Sequence, residues 1–267
     1  MLIDTHCHIH DADYPLDVNE VIDRAHRAGV MKMICVGTDE PSSRSAIEFA
    51  NNHPGIYAAA GVHPHEAKDG IGQLSEIVRF ATVEDLSGNS FSNPVKKLVA
   101  IGEIGLDYHY DYSPRDTQIQ ILRYQIELAL SKGLPMIFHV REAFDDFWSV
   151  LDEFKNDHRP IRGVLHSFTD TQQHANEALR RGLYIGVNGY STFTRDESQK
   201  MMFATLPLDK ILFETDAPFL TPNPFRGKVN EPAFVKNIAE FHAAIHHISV
   251  DEIANITTTN ARTLFKL

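Results

Sequence analysis

Short apolar runs alternate with longer amphipathic stretches from one end of the chain to the other. The runs Leu2–Asp4, Met31–Val36, Ile56–Ala60, Leu98–Ile101, Pro135–Phe138, Gly163–Leu165, Tyr184–Val187 and Ile211–Phe213 predict eight strands. Between them the periodicity is helical. Ile119, Leu122, Ile126 and Leu130 fall on one stripe between Asp116 and Lys132, and Thr171 to Arg181 forms a second such stretch. Pro41 and Pro114 fit helix starts, while Gly29, Gly133 and Gly182 fit helix stops just ahead of the next strand.

Strand followed by helix, about eight times over, predicts parallel pairing and an α/β fold closed into a single (β/α)8 TIM-like barrel. A doubly wound open sheet is the alternative, but no Gly-rich phosphate loop follows the first strand. Two segments break the repeat. The polar stretch Thr82–Lys97, rich in Ser, Asn and Gly, reads as an exposed insertion before the fourth strand. Thr221–Pro232, with three prolines and one glycine, reads as a long loop after the eighth. No repeat, low-complexity tract or linker marks a second domain, so residues 1–267 are expected to form one.

Composition adds constraints. With 43% hydrophobic residues the chain can bury a large core. Cys7 and Cys35 are too few for a disulfide framework and read as free, packed thiols of a reducing compartment. The amino terminus lacks the marks of a signal peptide, and no stretch reaches the ~18 apolar residues that span a bilayer, so a cytoplasmic enzyme without a membrane partner is expected. The formal net charge of −11 excludes general attraction to nucleic-acid phosphates. A nucleic-acid substrate then needs bound cations and a few local basic side chains. No obligate protein partner is evident.

The candidate chemistry sits at the ends of the predicted strands. The first ends in His6-Cys7-His8, whose alternate residues point the same way, so that both imidazoles can share a metal. The fourth runs into Gly102-Glu103-Ile104-Gly105-Leu106-Asp107. The fifth ends at His139, the sixth at His166, and the eighth at Glu214-Thr215-Asp216. The carboxyl end of a barrel is its catalytic face, where these groups would converge and metal coordination would satisfy them together. The set suits two cations. His6, His8 and Asp216 could hold one, His139 and His166 the other, with Glu103 bridging them. Mixed imidazole and carboxylate donors favour Zn²⁺, Mn²⁺ or related ions, and Mg²⁺ would prefer more oxygen. Such a pair generates hydroxide near neutral pH and neutralises developing charge, and Asp216 is placed to take the proton of the attacking water.

A second layer is expected around this centre. Pro64 stiffens the turn Gly61-Val62-His63-Pro64-His65 and leaves His63 and His65 at the rim as substrate or ligand-orienting residues. Arg141, and Arg226 and Lys228 in the last loop, could hold phosphate oxygens, Arg226 being the best placed. His242, His246 and His247 fall in a late amphipathic helix and are expected on the surface. His109 lies near the pocket loop without a role.

Taken together, the sequence resembles the TatD family of metal-dependent deoxyribonucleases, within the amidohydrolase-like superfamily, over nearly its whole length. The marks are Asp4-Thr5-His6-Cys7-His8, Gly61-Val62-His63-Pro64-His65, Gly102-Glu103-Ile104-Gly105-Leu106-Asp107-Tyr108, His139-Val140-Arg141 and Glu214-Thr215-Asp216-Ala217-Pro218-Phe219-Leu220. Arg226-Gly227-Lys228 with Asn230-Glu231-Pro232, and the closing Thr258-Thr259-Asn260-Ala261-Arg262, complete them. The resemblance implies a TIM-like barrel, a divalent metal centre and phosphodiester hydrolysis, typically of DNA from a 3′ end. It makes His6, His8, Glu103, His139, His166 and Asp216 the ligands, and puts His63, His65 and Arg226 near substrate phosphates. The chain departs from the family pattern at His10, where an acidic or amide residue is usual. It departs again at Ser167 and Asp170, where Cys and Gly are frequent, and in the longer 82–97 segment.

Two enzymatic readings follow, a deoxyribonuclease acting on single strands or strand ends, and a hydrolase of small esters, lactones or amides. The charge of −11 leans toward the second, but the six-ligand centre and nearby basic residues place the deoxyribonuclease first. A metal-binding scaffold without catalysis is a third reading, disfavoured because no ligand is missing.

Overall fold

The computed structural model describes residues 1–82 and 97–267. Residues 83–96 of the expected insertion therefore lie outside the described residues. Eight strands alternate with helices: β1 (Leu2–Cys7), α1 (Val18–Arg27), β2 (Val30–Val36), α2 (Glu40–Asn52), β3 (Ile56–Ala60), α3 (Leu74–Thr82), β4 (Leu98–Asp107) and α4 (Arg115–Lys132). The second half runs β5 (Met136–Arg141), α5 (Phe144–Glu153), β6 (Gly163–Leu165), α6 (Gln172–Arg180), β7 (Tyr184–Val187), α7 (Glu197–Thr205), β8 (Ile211–Phe213), α8 (Val235–Ile245) and α9 (Val250–Phe265).

The helix signals are used as the sequence suggests. Asp39 caps α2 with a reciprocal bond to Ser42, and Pro41 lies in its first turn. Thr171 caps α6, and Gly133 ends α4 in the left-handed conformation at φ 65°. Strand β4 runs six residues beyond its expected end, because Gly102 and Gly105 continue the strand instead of breaking it. At Gly105, paired with His139, φ is 154°, and a Cβ would collide with the carbonyl oxygen of His139.

The strands pair in parallel in the order β1 through β8. The barrel closes where the chain beyond β8 returns to β1. Asp216 N–H donates to the His6 carbonyl at 2.9 Å and His8 N–H to the Ala217 carbonyl at 2.8 Å. Asp4 locks this seam from inside, accepting the Thr215 hydroxyl at 2.6 Å and the Thr215 N–H at 2.9 Å. Burial pushes the Asp4 carboxyl up to about 8, against those hydrogen bonds.

Strand alternation places the core and the site in one stack. Ile137 lies two residues before His139, Val164 two before His166, and Leu212 two before Glu214. The faces that carry ionisable groups at the mouth therefore carry apolar residues beneath it. Those residues form one buried cluster with Ile3, Ile34 and Val36, closed off by Ala261, Leu264 and Phe265 of α9. A larger cluster fills the space between barrel and helices, with Phe138, Phe147, Leu122 and Ile126 among its members. Among the described residues, no helix is long and apolar enough to cross a membrane.

Candidate metal centre

The carboxyl ends of the strands surround a cavity of about 830 Å³, lined among others by His8, His63, His65, Glu103, Asp107, His139, His166 and Asp216. His6 lies just beneath, fully buried, its ring stacked on that of His166 at 3.5 Å between centroids. All six expected ligands are thus brought together. Nε2 of His6 lies 3.0 Å from Nε2 of His8 and 3.4 Å from Glu103 Oε2. Asp216 Oδ1 lies 3.5 Å from His8 Nε2 and 3.8 Å from both His6 and His166 Nε2. Glu103 Oε1 faces His139 Nδ1 at 2.9 Å and His166 Nε2 at 3.7 Å.

The tautomers are set from outside this cluster. His8 Nδ1 binds the Val36 carbonyl at 2.9 Å. His139 Nε2 binds Asp107 Oδ2 at 2.9 Å. His166 Nδ1 sits 2.9 Å from Glu214 Oε1. With one ring nitrogen turned to an oxygen, each of these histidines aims its other nitrogen inward, where its lone pair would serve a bound cation. Buried lone pairs and carboxylates that converge in this way repel one another unless positive charge lies between them, so the donor set fits divalent cations. His6, His8 and Glu103 form one compact group able to hold an ion, and Glu103 with His139 also faces His63.

The electrostatics are those of an acidic nest lined with imidazoles. Burial alone would raise the Glu103 carboxyl, but His63, His166, His139 and His6 hold it well below the usual carboxylate range. Asp107 is depressed for the same reason, its burial outweighed chiefly by the bond to His139. Burial opposes charge on His166 as well, yet Glu214, Glu103 and Asp216 push it up to about 10. His63 goes the other way, lowered to about 4 by burial despite Glu103.

Of the outer residues, His63 is buried rather than at the rim. Its Nδ1 accepts the His65 N–H at 3.2 Å, which leaves Nε2 as a donor 3.5 Å from Glu103 Oε1. His65 Nε2 reaches Asp107 Oδ2 at 3.0 Å. Arg141 lines the cavity and lies 5.0 Å from the Tyr110 ring centre. Arg226 is not brought to the cavity wall. Its guanidinium lies 3.7 Å over the Phe193 ring and donates to the Thr221 carbonyl at 2.7 Å, and these contacts hold it in the loop. Lys228 likewise sits 5.2 Å over Phe225. Exposed His109 meets Glu142 at 2.6 Å.

Sequence reasoning quoted Asp107 and Glu214 inside motifs without giving them roles. Their spacing carried the signal, since Asp107 follows Glu103 by four residues and Glu214 precedes Asp216 by two, which in a strand means the same face. It also missed two buried glutamines of α4. Gln118 brackets the backbone of Asp107, accepting its N–H at 2.9 Å and donating to its carbonyl at 3.0 Å. Gln125 does the same for Val62. His242 was expected on the surface, yet it is fully buried, with Nε2 2.9 Å from Ser191 Oγ. The face of α8 that carries it packs inward with Ile238 and Ala239. Asn230 and Glu231 serve the scaffold. The Asn230 amide donates to the Thr215 carbonyl, and Glu231 takes a forked pair of bonds from Arg24.

Fold and site together define a metal-dependent hydrolase. Residues 3–266 match the TatD related DNase family. The chain is 40% identical to YabD of Bacillus subtilis, an uncharacterized metal-dependent hydrolase, over the full length of both. It is 33% identical to the 3′-5′ ssDNA/RNA exonuclease TatD of Erwinia tasmaniensis, again over the full length of both. Among solved structures, the TatD homologue YJJV of Escherichia coli superposes with a TM-score of 0.86 at 32% identity, covering 100% of this chain and 98% of that one. The chain belongs to the TatD related DNase family.

Proposed function

We propose that residues 1–267 act as one hydrolase domain that cleaves phosphodiester bonds of single-stranded DNA from a strand end, with 3′ to 5′ polarity. The observation that carries this reading is the inward convergence of four imidazoles on Glu103 and Asp216, with the outer nitrogens of His8, His139 and His166 turned to fixed acceptors. His6, His8 and Asp216 would hold one divalent cation and His139 and His166 the second, with Glu103 available to both. When bound, such ions lower the pKa of water and neutralise charge developing on a phosphoryl oxygen. Mn²⁺ and Zn²⁺ suit the nitrogen-rich set, and Mg²⁺ suits it less.

The chain's own groups then do the rest. Asp216 is the most open of the central acids, and its left-handed backbone, at φ 59°, turns its side chain to the cavity. Held ionised by His166, His8 and His6 against burial, it is the group to accept the proton of the attacking water. Glu103 keeps its charge below, while His63 steadies its outer oxygen. His65 and His139 share Asp107, so the rim and the ligand shell are braced by one carboxylate. Arg141, the one Lys or Arg among the described residues lining the cavity, is placed to meet a phosphate.

The test is to strip the protein of metal and add back Mg²⁺, Mn²⁺ or Zn²⁺ with 3′- and 5′-labelled single-stranded DNA, beside Asp216→Ala. Metal-dependent shortening from the 3′ end, lost in the variant, is expected. Intact DNA with every metal, in protein shown to bind two ions, would transfer the site to small esters, lactones or amides.

A further inference from the structure

Among the described residues, the cavity that would receive a nucleic acid is lined by a single Lys or Arg, Arg141, on a protein of net charge −11. Phosphate attraction by side chains is therefore weak here, apart from what bound cations would supply. The mouth is instead flanked by exposed aromatic rings. Tyr110, on the loop after β4, lines the cavity and is 39% exposed, and Tyr112 beside it is 55% exposed. Their rings are parallel to within 6° at 5.3 Å, a ready-made stack. Phe219, on the loop after β8, lines the same cavity and is 61% exposed.

These positions face each other by construction. In a closed barrel with strands in the order 1 to 8, the ends of β4 and β8 lie on opposite sides of the mouth. Each ring is also tied to the chemical centre. Tyr110 N–H donates to Asp107 Oδ1 at 3.1 Å, and its ring meets that of His65 edge-on at 5.4 Å. Phe219 N–H donates to the Asp216 carbonyl at 2.8 Å. Exposed aromatic rings on both sides of a phosphodiester site have the form of a platform for unstacked bases, with the Arg141 guanidinium over the Tyr110 ring.

We propose that Tyr110 and Tyr112 on one side and Phe219 on the other stack the unpaired terminal bases of a single strand, and that this stacking contributes to the binding. The inference rests on the reading of the site as a nuclease acting on single strands. It selects unpaired ends, since a base in a duplex has no free face to offer.

Binding of fluorescein-labelled oligo(dT) to metal-loaded protein, followed by anisotropy, separates the two ideas because it needs no cleavage. The dissociation constant is expected to rise about 10-fold in Tyr110→Ala and in Phe219→Ala, with recovery in Tyr110→Phe and Phe219→Tyr. Replacing the three 3′-terminal nucleotides by abasic sites should weaken wild-type binding about as much. The slope of log Kd against log salt is expected to stay below about 1 in magnitude, one phosphate contact being worth roughly 0.7 on a single strand. Cleavage of DNA combined with unchanged binding in both Ala variants and with the abasic strand would overturn the stacking site and leave the nuclease standing. Aromatic-dependent binding without cleavage under any metal would do the reverse. Absence of binding to single strands would overturn the stacking site outright.

Discussion

His139 holds Asp107 through Nε2 at 2.9 Å while its Nδ1 lies 2.9 Å from Glu103 Oε1, so one imidazole joins two carboxylates of the same strand. The Asp107 bond fixes which nitrogen is free to ligate. Asp107→Asn preserves shape but removes the charge that makes His139 a strong donor. Metal affinity, measured by titration calorimetry, is expected to fall about 10- to 100-fold. Affinity equal to wild type would mean that Asp107 does not orient a ligand.

Asp216 is assigned to ligation and to proton transfer at once, and the two can be separated. Asp216→Asn is expected to lower turnover about 10²- to 10⁴-fold. Metal content by atomic emission and turnover under saturating Mn²⁺ divide the loss between the two roles. Full activity in this variant would remove Asp216 from the chemistry.

Gly105 is required by the close approach of β4 to β5. Gly105→Ala would drive a Cβ into the His139 carbonyl at a backbone angle of 154°. The expected result is a melting temperature lower by several degrees together with weakened metal binding, since the displaced strand carries His139. A variant with unchanged melting temperature and metal affinity would contradict this packing.

Buried His242 gives the fold a specific weakness toward acid. Burial, reinforced by His246, lowers its pKa from 6.5 to about 3, so it is neutral in the folded chain and protonates more readily when unfolded. Its effect on stability is absent above pH 6.5 and grows as pH falls from there toward 3. Within that window it contributes a loss of roughly 1 kcal/mol per pH unit. Urea midpoints at pH 7 and pH 4.5 should therefore differ less in His242→Gln than in wild type. An equal shift in both proteins would place the acid sensitivity elsewhere.

The fold was legible because its signals are local. β3, β6, β7 and β8 fall at the expected residues, and Thr171, Gly133 and Gly182 sit at helix ends. The end of β4 was not legible, because glycine reads as a breaker unless the neighbouring strand that needs its missing side chain is known. The six candidate ligands stood out as ionisable residues at strand ends. Gln118, Gln125 and His242 did not. A polar side chain on an apolar helix face looks solvent-exposed until a buried partner such as Asp107 or Ser191 appears across the interface. Arg226, read as near the substrate, lies over Phe193 and outside the cavity lining.

The seam between β1 and the chain past β8 has a consequence for synthesis. His6 and His8 are synthesised well before Asp216, and it is hydrogen bonding across the seam that seats it beside them. A growing or truncated chain thus carries histidines without the acid that completes their cluster. The candidate centre is therefore completed only when the chain beyond β8 has met β1.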